Sequence, residues 1–134
     1  LYPLPDSTAI DVFGGDNKIT GITDDSTLLW VASDTKGVAS LLAGAIQEIY
    51  TVSNSNLISN TLRRITRDSS GDIWATTKDG VSRFKKDRQV WVPMGSDSGL
   101  GSRIDVKAIA IDEKGGKRAV YVGGNPGLSV MQTP

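Results

Sequence analysis

Apolar residues along this chain come in short runs, broken every few positions by Gly, Asp, Asn and Ser. Asp72-Ile-Trp-Ala-Thr-Thr77, Val81-Ser-Arg-Phe84, Gln89-Val-Trp-Val92 and Val106-Lys-Ala-Ile-Ala-Ile111 are rich in β-branched and aromatic side chains, which suit a pleated, half-buried surface. Helical spacing of apolar positions is approached only over Val38–Tyr50, where Gly44 interrupts it. The pattern predicts strands joined by tight turns, with glycines supplying the positive φ that such turns require.

The runs are themselves repeated. An apolar residue, an acid three positions later, an aromatic in an apolar strand and a turn glycine occur as Ile22, Asp25, Trp30, Gly37, then Ile65, Asp68, Trp74, Gly80, then Ile109, Asp112, Tyr121, Gly127. Acid to acid is 43 and then 44 residues; aromatic to aromatic is 44 and then 47. Such a period marks one supersecondary unit that buries its face on its neighbour. The second copy predicts strands at 61–67, 73–77, 81–84 and 89–92. The first predicts them at 18–23, 28–32, 38–41 and 46–52, and the third at 106–111, 120–123 and 128–131, with a fourth strand missing.

Each unit is thus an antiparallel meander, and four strands per repeat of 40 to 50 residues predict an all-β chain of three β-propeller blades. The expected organisation is a lead-in over residues 1–16 and blades over 17–56, 57–99 and 100–134. Leu1-Tyr2-Pro3-Leu4 is expected to complete the last blade, in the same or a neighbouring ring. Propellers have about four to eight blades, and packed sheets lie about 10 Å apart, so three wedges leave no room for three inner strands. Further blades are expected from another copy of the chain or from the remainder of a longer propeller. The start Leu1-Tyr2-Pro3, without an initiator methionine, reads as a processed chain or an excised piece.

Composition narrows the chemistry. Fifteen Lys plus Arg balance fifteen Asp plus Glu, and no basic run exceeds Lys85-Lys86, so a nucleic-acid partner has no support. No stretch approaches the roughly 20 apolar residues of a membrane-spanning helix. The absence of Cys and His removes disulfides, thiol nucleophiles and the commonest general base, and no paired acid–base constellation takes their place. A noncatalytic role is the expectation, as a ligand-binding module or, alternatively, as a protein-interaction or structural scaffold.

The segment Leu57-Ile-Ser-Asn60 through Asp68-Ser-Ser-Gly-Asp-Ile-Trp74 to Asp79-Gly-Val-Ser-Arg-Phe84 resembles the two-component regulator propeller repeat. The first and third copies match it more weakly; the third replaces Trp with Tyr121 and lengthens its first turn with Lys114-Gly-Gly-Lys117. The resemblance implies a periplasmic or extracellular sensor propeller of a hybrid two-component system that binds an oligosaccharide without a cofactor. It reaches less specifically toward propeller lyases, which rely on a histidine this chain lacks.

Candidate residues divide by their place in the repeat. Trp30, Trp74 and Tyr121 are expected to fill the wedges between blades, since large aromatics dominate core energetics. Asp25, Asp68 and Asp112 are expected to shape the first turn of each blade by accepting backbone amides, a reading favoured over calcium because the oxygen ligands of a calcium loop are missing. Gly37, Gly80 and Gly127 are turn residues. Outer-strand aromatics Tyr50 and Trp91 are expected to cap their own sheets. Function in propellers concentrates on innermost strands and their loops, where these copies place Asn17 and Lys18, then Asn60, Arg63 and Arg64, then Arg103, Asp105 and Lys107. A channel rimmed by those cations suits an anionic or polyhydroxyl ligand.

Overall fold

The computed structural model describes residues 9–15, 18–94, 104–125 and 127–133. The proposed strand at residues 1–4, Asn17 and Arg103 lie outside them. The described residues contain no helix and form eleven strands: β1 (Ile19–Asp24), β2 (Leu29–Ser33), β3 (Val38–Leu42), β4 (Ala45–Tyr50), β5 (Leu62–Arg67), β6 (Ile73–Thr77), β7 (Gly80–Lys85), β8 (Val90–Met94), β9 (Ile104–Lys114), β10 (Lys117–Asn125) and β11 (Leu128–Thr133). They pair as three antiparallel meanders, β1-β2-β3-β4, β5-β6-β7-β8 and β9-β10-β11. The innermost strands lie side by side, β1 against β5 and β5 against β9.

Local chemistry explains the first two meanders. Asp25 Oδ1 accepts the amides of Thr27 at 3.0 Å and Leu28 at 2.7 Å, which folds β1 back onto β2. Asp68 does the same for the β5–β6 turn, accepting from Ser70 at 2.9 Å and Asp72 at 3.1 Å, with Gly71 at φ 87°. The second oxygen of each carboxylate receives an indole N–H, Trp30 Nε1 on Asp25 at 3.0 Å and Trp74 Nε1 on Asp68 at 2.9 Å. One acid therefore fixes both a turn and the orientation of the aromatic that follows it. Gly37 sits at φ 89°, where a methyl would approach the Tyr50 carbonyl to 2.1 Å, so no other residue fits that turn.

Two cores hold the sheets together. Trp30, Ala32 and Val38 of the first sheet pack on Leu62, Ile65, Ile73, Ala75, Phe84 and Trp91 of the second. Trp74 and Val81 on the reverse of the second sheet pack on Val106, Val120, Val122 and Met131 of the third. The outer-strand aromatics do more than cap their own sheets. Tyr50 stacks on Trp30 at 5.9 Å, and Phe84 lies 4.8 Å from Trp30 and 5.3 Å from Trp91, so one aromatic cluster spans the first joint.

The third copy departs from expectation at two positions. Asp112 is not a turn residue: β9 and β10 continue past it, pairing Asp112 with Ala119, Glu113 with Arg118 and Lys114 with Lys117. The added Gly115-Gly116 carries the turn outward, with φ of 60° and 76°. Tyr121 is not a wedge residue in these contacts. It occupies the register position of Trp30 and Trp74 but is 38% exposed, because its face of the third sheet meets no further sheet among the described residues.

Candidate ligand-binding cleft

The innermost strands end in a cleft of about 480 Å³ lined by Ile19 and Thr20 from β1, Arg63 and Arg64 from β5, and Lys107 from β9. Strands from three sheets thus contribute to one concavity, and three of its five lining residues are cationic. The reason is topological. Register shifts between Ile19 and Gly21 in β1 and between Leu62 and Arg64 in β5 break the strict alternation of side chains, so successive residues serve one cleft, and adjacency of β1, β5 and β9 makes the three strands neighbours.

Asp105 organises the cations. Its Oδ1 accepts Arg63 Nη2 at 2.8 Å and Nε at 3.1 Å, and its Oδ2 lies 3.5 Å from Lys107 Nζ. The residue stands at φ 54°, and its backbone amide donates to the Lys78 carbonyl, so the carboxylate is anchored to the second sheet. Hydrogen bonds from Arg63 hold its carboxyl below the ordinary aspartate value against the opposing effect of burial, and the charges of Arg63 and Lys107 add to the lowering. The carboxylate satisfies Arg63. Arg64 makes one long bond, Nη1 to the Arg63 carbonyl at 3.3 Å, from a guanidinium with five N–H groups. The Lys107 side chain is 67% exposed. Three cations against one carboxylate leave the cleft positive, with Arg64 and Lys107 as its adaptable donors.

The sequence-predicted residues divide accordingly. Arg63, Arg64 and Lys107 come together. Lys18 and Asn60 stay outside the lining and work as connectors: the Lys18 carbonyl accepts the Asp34 amide at 3.1 Å, and Asn60 Oδ1 accepts the Val52 amide at 2.8 Å. Sequence reasoning passed over Ile19 and Thr20, whose signal was their place one repeat before Leu62 and Arg63.

A second group of charges lies between the second and third sheets. Asp68, with a fully buried carboxylate, faces Arg118 Nη1 at 3.3 Å and Arg83 Nη2 at 3.6 Å. Arg83 also meets Asp72 at 2.9 Å and covers the Trp74 ring at 4.6 Å. Arg118 Nε donates to Glu113 at 2.7 Å and Arg118 Nη2 to Ser70 at 3.0 Å, while Glu113 accepts the Ser69 amide at 3.1 Å. These groups satisfy one another, so the arrangement is a joint between sheets and holds no spare donor set.

The sequence matches no protein-family model and no curated protein. Its structure does match solved ones. The extracellular domain of a hybrid two-component system from B. thetaiotaomicron aligns with TM-score 0.66 and 18% identity, covering 86% of this chain and 18% of that one. The extracellular domain of another such system from B. thetaiotaomicron aligns with TM-score 0.61 and 22% identity, covering 91% and 17%. Over the matched part, the fold is shared with these extracellular domains. A gluconolactonase from Xanthomonas campestris also aligns, with TM-score 0.55 and 14% identity, covering 86% of this chain and 38% of the enzyme. This chain therefore spans under a fifth of the length of the sensor domains it resembles.

Proposed function

We propose that this chain is a noncatalytic, ligand-binding section of an extracytoplasmic sensor propeller in a two-component signalling system, and that its ligand is an oligosaccharide. The observation that carries the reading is the convergence of Arg63, Arg64 and Lys107 from neighbouring innermost strands on one cleft, with Asp105 holding Arg63 at 2.8 Å and Lys107 at 3.5 Å while Arg64 makes a single long bond. Likeness to extracellular domains of hybrid two-component systems supports the sensor role and the compartment. Hydroxyl-rich and carboxylated sugars offer the acceptors that guanidinium and ammonium donors recognise. Asn17 and Arg103 belong to the same set by their place in the repeat.

Calorimetric titration against a panel of neutral and acidic oligosaccharides tests this. Saturable binding without product formation is expected, weakened about tenfold or more by Arg64→Ala together with Lys107→Ala, since hydrogen bonds to charged groups contribute about 1.5–3 kcal/mol each. A folded protein that binds no member of the panel, or a double variant with unchanged affinity, refutes the assignment.

A further inference from the structure

We propose that the outer strands of the first two sheets enclose a second binding site, between β4 and β8, for a neutral saccharide. A cavity of about 550 Å³ lies there, within the roughly 300–1,000 Å³ common for small-ligand sites. It is walled by Glu48 and Tyr50 of β4, Asn56 of the connection to β5, and Gln89, Val90 and Trp91 at the start of β8. Both sheets are complete four-stranded meanders and the joint between them is internal to the chain, so these walls do not depend on what adjoins the first or the third sheet. β4 and β8 are at the opposite edges of their sheets from β1 and β5, which separates the cavity from the cationic cleft.

The third tryptophan points to an occupant. Trp30 and Trp74 give their indole N–H to Asp25 and Asp68. Trp91 is as deeply buried, at 1% exposure, yet its Nε1 has no acceptor among the described residues. Buried donors nearly always have a partner, and an oxygen brought by a ligand in the cavity that Trp91 lines supplies one. The walls are held by bonds that leave other groups free. Asn54 accepts the Thr51 amide at 2.8 Å and donates to the Ile49 carbonyl at 2.9 Å, and Ser55 Oγ donates to the Thr51 carbonyl at 2.7 Å. Gln89 stands at φ 57° and donates Nε2 to the Lys86 carbonyl at 2.7 Å. The Asn56 amide, the Tyr50 hydroxyl, the Glu48 carboxylate and the Gln89 side-chain carbonyl make no hydrogen bond among the described residues.

Those groups set the ligand's chemistry. Burial, with the charge of Glu48, pushes the Tyr50 hydroxyl above the ordinary tyrosine value, so it stays a donor. Donors and acceptors interleave along the walls, which suits sugar hydroxyls, since each gives and takes a hydrogen bond. Val90, 41% exposed, offers an apolar surface to a sugar ring. The lining holds a carboxylate and no cation, the reverse of the cleft at β1, β5 and β9, so an anion is disfavoured. A peptide laid along an edge strand needs pockets for its alternate side chains, and the free groups here are polar.

Titration of the chain with uncharged sugars, from glucose, galactose and mannose to their disaccharides, followed by NMR of the indole and amide N–H groups, tests this. The Trp91 indole signal should move saturably while that of Trp74, in the other joint, stays in place. Trp91→Phe together with Asn56→Ala should weaken binding about tenfold, since two neutral hydrogen bonds are lost. Arg64→Ala with Lys107→Ala should leave it unchanged, which distinguishes this site from the cationic cleft. The proposal is overturned by a folded chain that no sugar of the set shifts, by a response centred on the cationic cleft, or by a double variant of unaltered affinity. Movement of the same signals by an extended peptide and by no sugar also overturns it. If Trp91→Phe fails to fold, Asn56→Ala with Glu48→Ala, two exposed side chains, takes its place with the same expected loss.

Discussion

One carboxylate performs two tasks in each of the first two sheets. Asp68 accepts two backbone amides on one oxygen and the Trp74 indole on the other, and it also neutralises Arg118 and Arg83. Asp68→Ala leaves an indole N–H and parts of two guanidinium groups without their partner in a buried place, so a loss of about 3–5 kcal/mol is expected, read from urea unfolding. Trp74→Ala, which empties the second joint, is expected to cost a similar 3–5 kcal/mol by the same measurement. Asp25 contributes to the pH dependence, together with Asp105 and Glu113, whose carboxyls are also held below their ordinary values by hydrogen bonds from Arg63 and Arg118. Burial raises the Asp25 pKa, but hydrogen bonds from the Leu28 amide, the Trp30 indole and the Thr27 amide, with the charge of Lys86, bring it below the ordinary aspartate value. A depressed folded-state pKa contributes stability that is complete above the unfolded value near 4 and is lost as pH falls through the folded value. Melting temperature is therefore expected to be flat near neutrality and to fall below about pH 4, with a shallower fall in Asp25→Ala.

Elements approach one another where the side chains permit. Gly21 lies in β1 opposite Ile65 of β5, and a Cβ there would come within 2.8 Å of Ile65 Cγ2 and 3.1 Å of the Ile65 backbone nitrogen. Glycine in a strand interior often marks such an approach, and that was the available signal in the sequence. Gly21→Val should push the two innermost strands apart at a cost of about 1–3 kcal/mol, measured by thermal or urea unfolding. The lengthened β9–β10 hairpin is the other departure from repetition. It gives up the acid–aromatic bond seen in the other sheets and in exchange delivers Arg118 and Glu113 to the Asp68 turn. Arg118→Ala is expected to loosen the third sheet selectively, seen as faster amide exchange in β9–β11 while β1–β4 keep their protection.

At the scale of the whole molecule, the adjacency of β1, β5 and β9 places cations from the second and third sheets around one cleft while the total charge is zero. Binding of an acidic oligosaccharide is expected to weaken as salt rises from about 0.02 to 0.5 M, because the screening length between exposed charges shortens from about 20 Å to about 4 Å over that range, whereas binding of a neutral one should change little. Titrations at the two salt concentrations check this.

Much of this was legible in the chain because its causes are local. The acid and the aromatic it orients are five or six residues apart, so their bond appears in the sequence as a period, and the strand boundaries follow to within a few residues. The cations of the cleft were legible as positions in the repeat. Their partners were not, since Arg63 and Asp105 are 42 residues apart and meet only because innermost strands of different sheets become neighbours. Tyr121 shows the same limit from the other side: its sequence position is that of a core aromatic, and whether it is covered depends on what stands beyond the third sheet. The chain's local pattern was enough for the all-β repeat and for the turns and core aromatics of its first two copies, because those depend on alternation and short-range hydrogen bonds. Only tertiary packing decided which charges are neutralised, how closely β1 and β5 approach, and which apolar faces stay open, because those depend on distances between residues the chain keeps far apart.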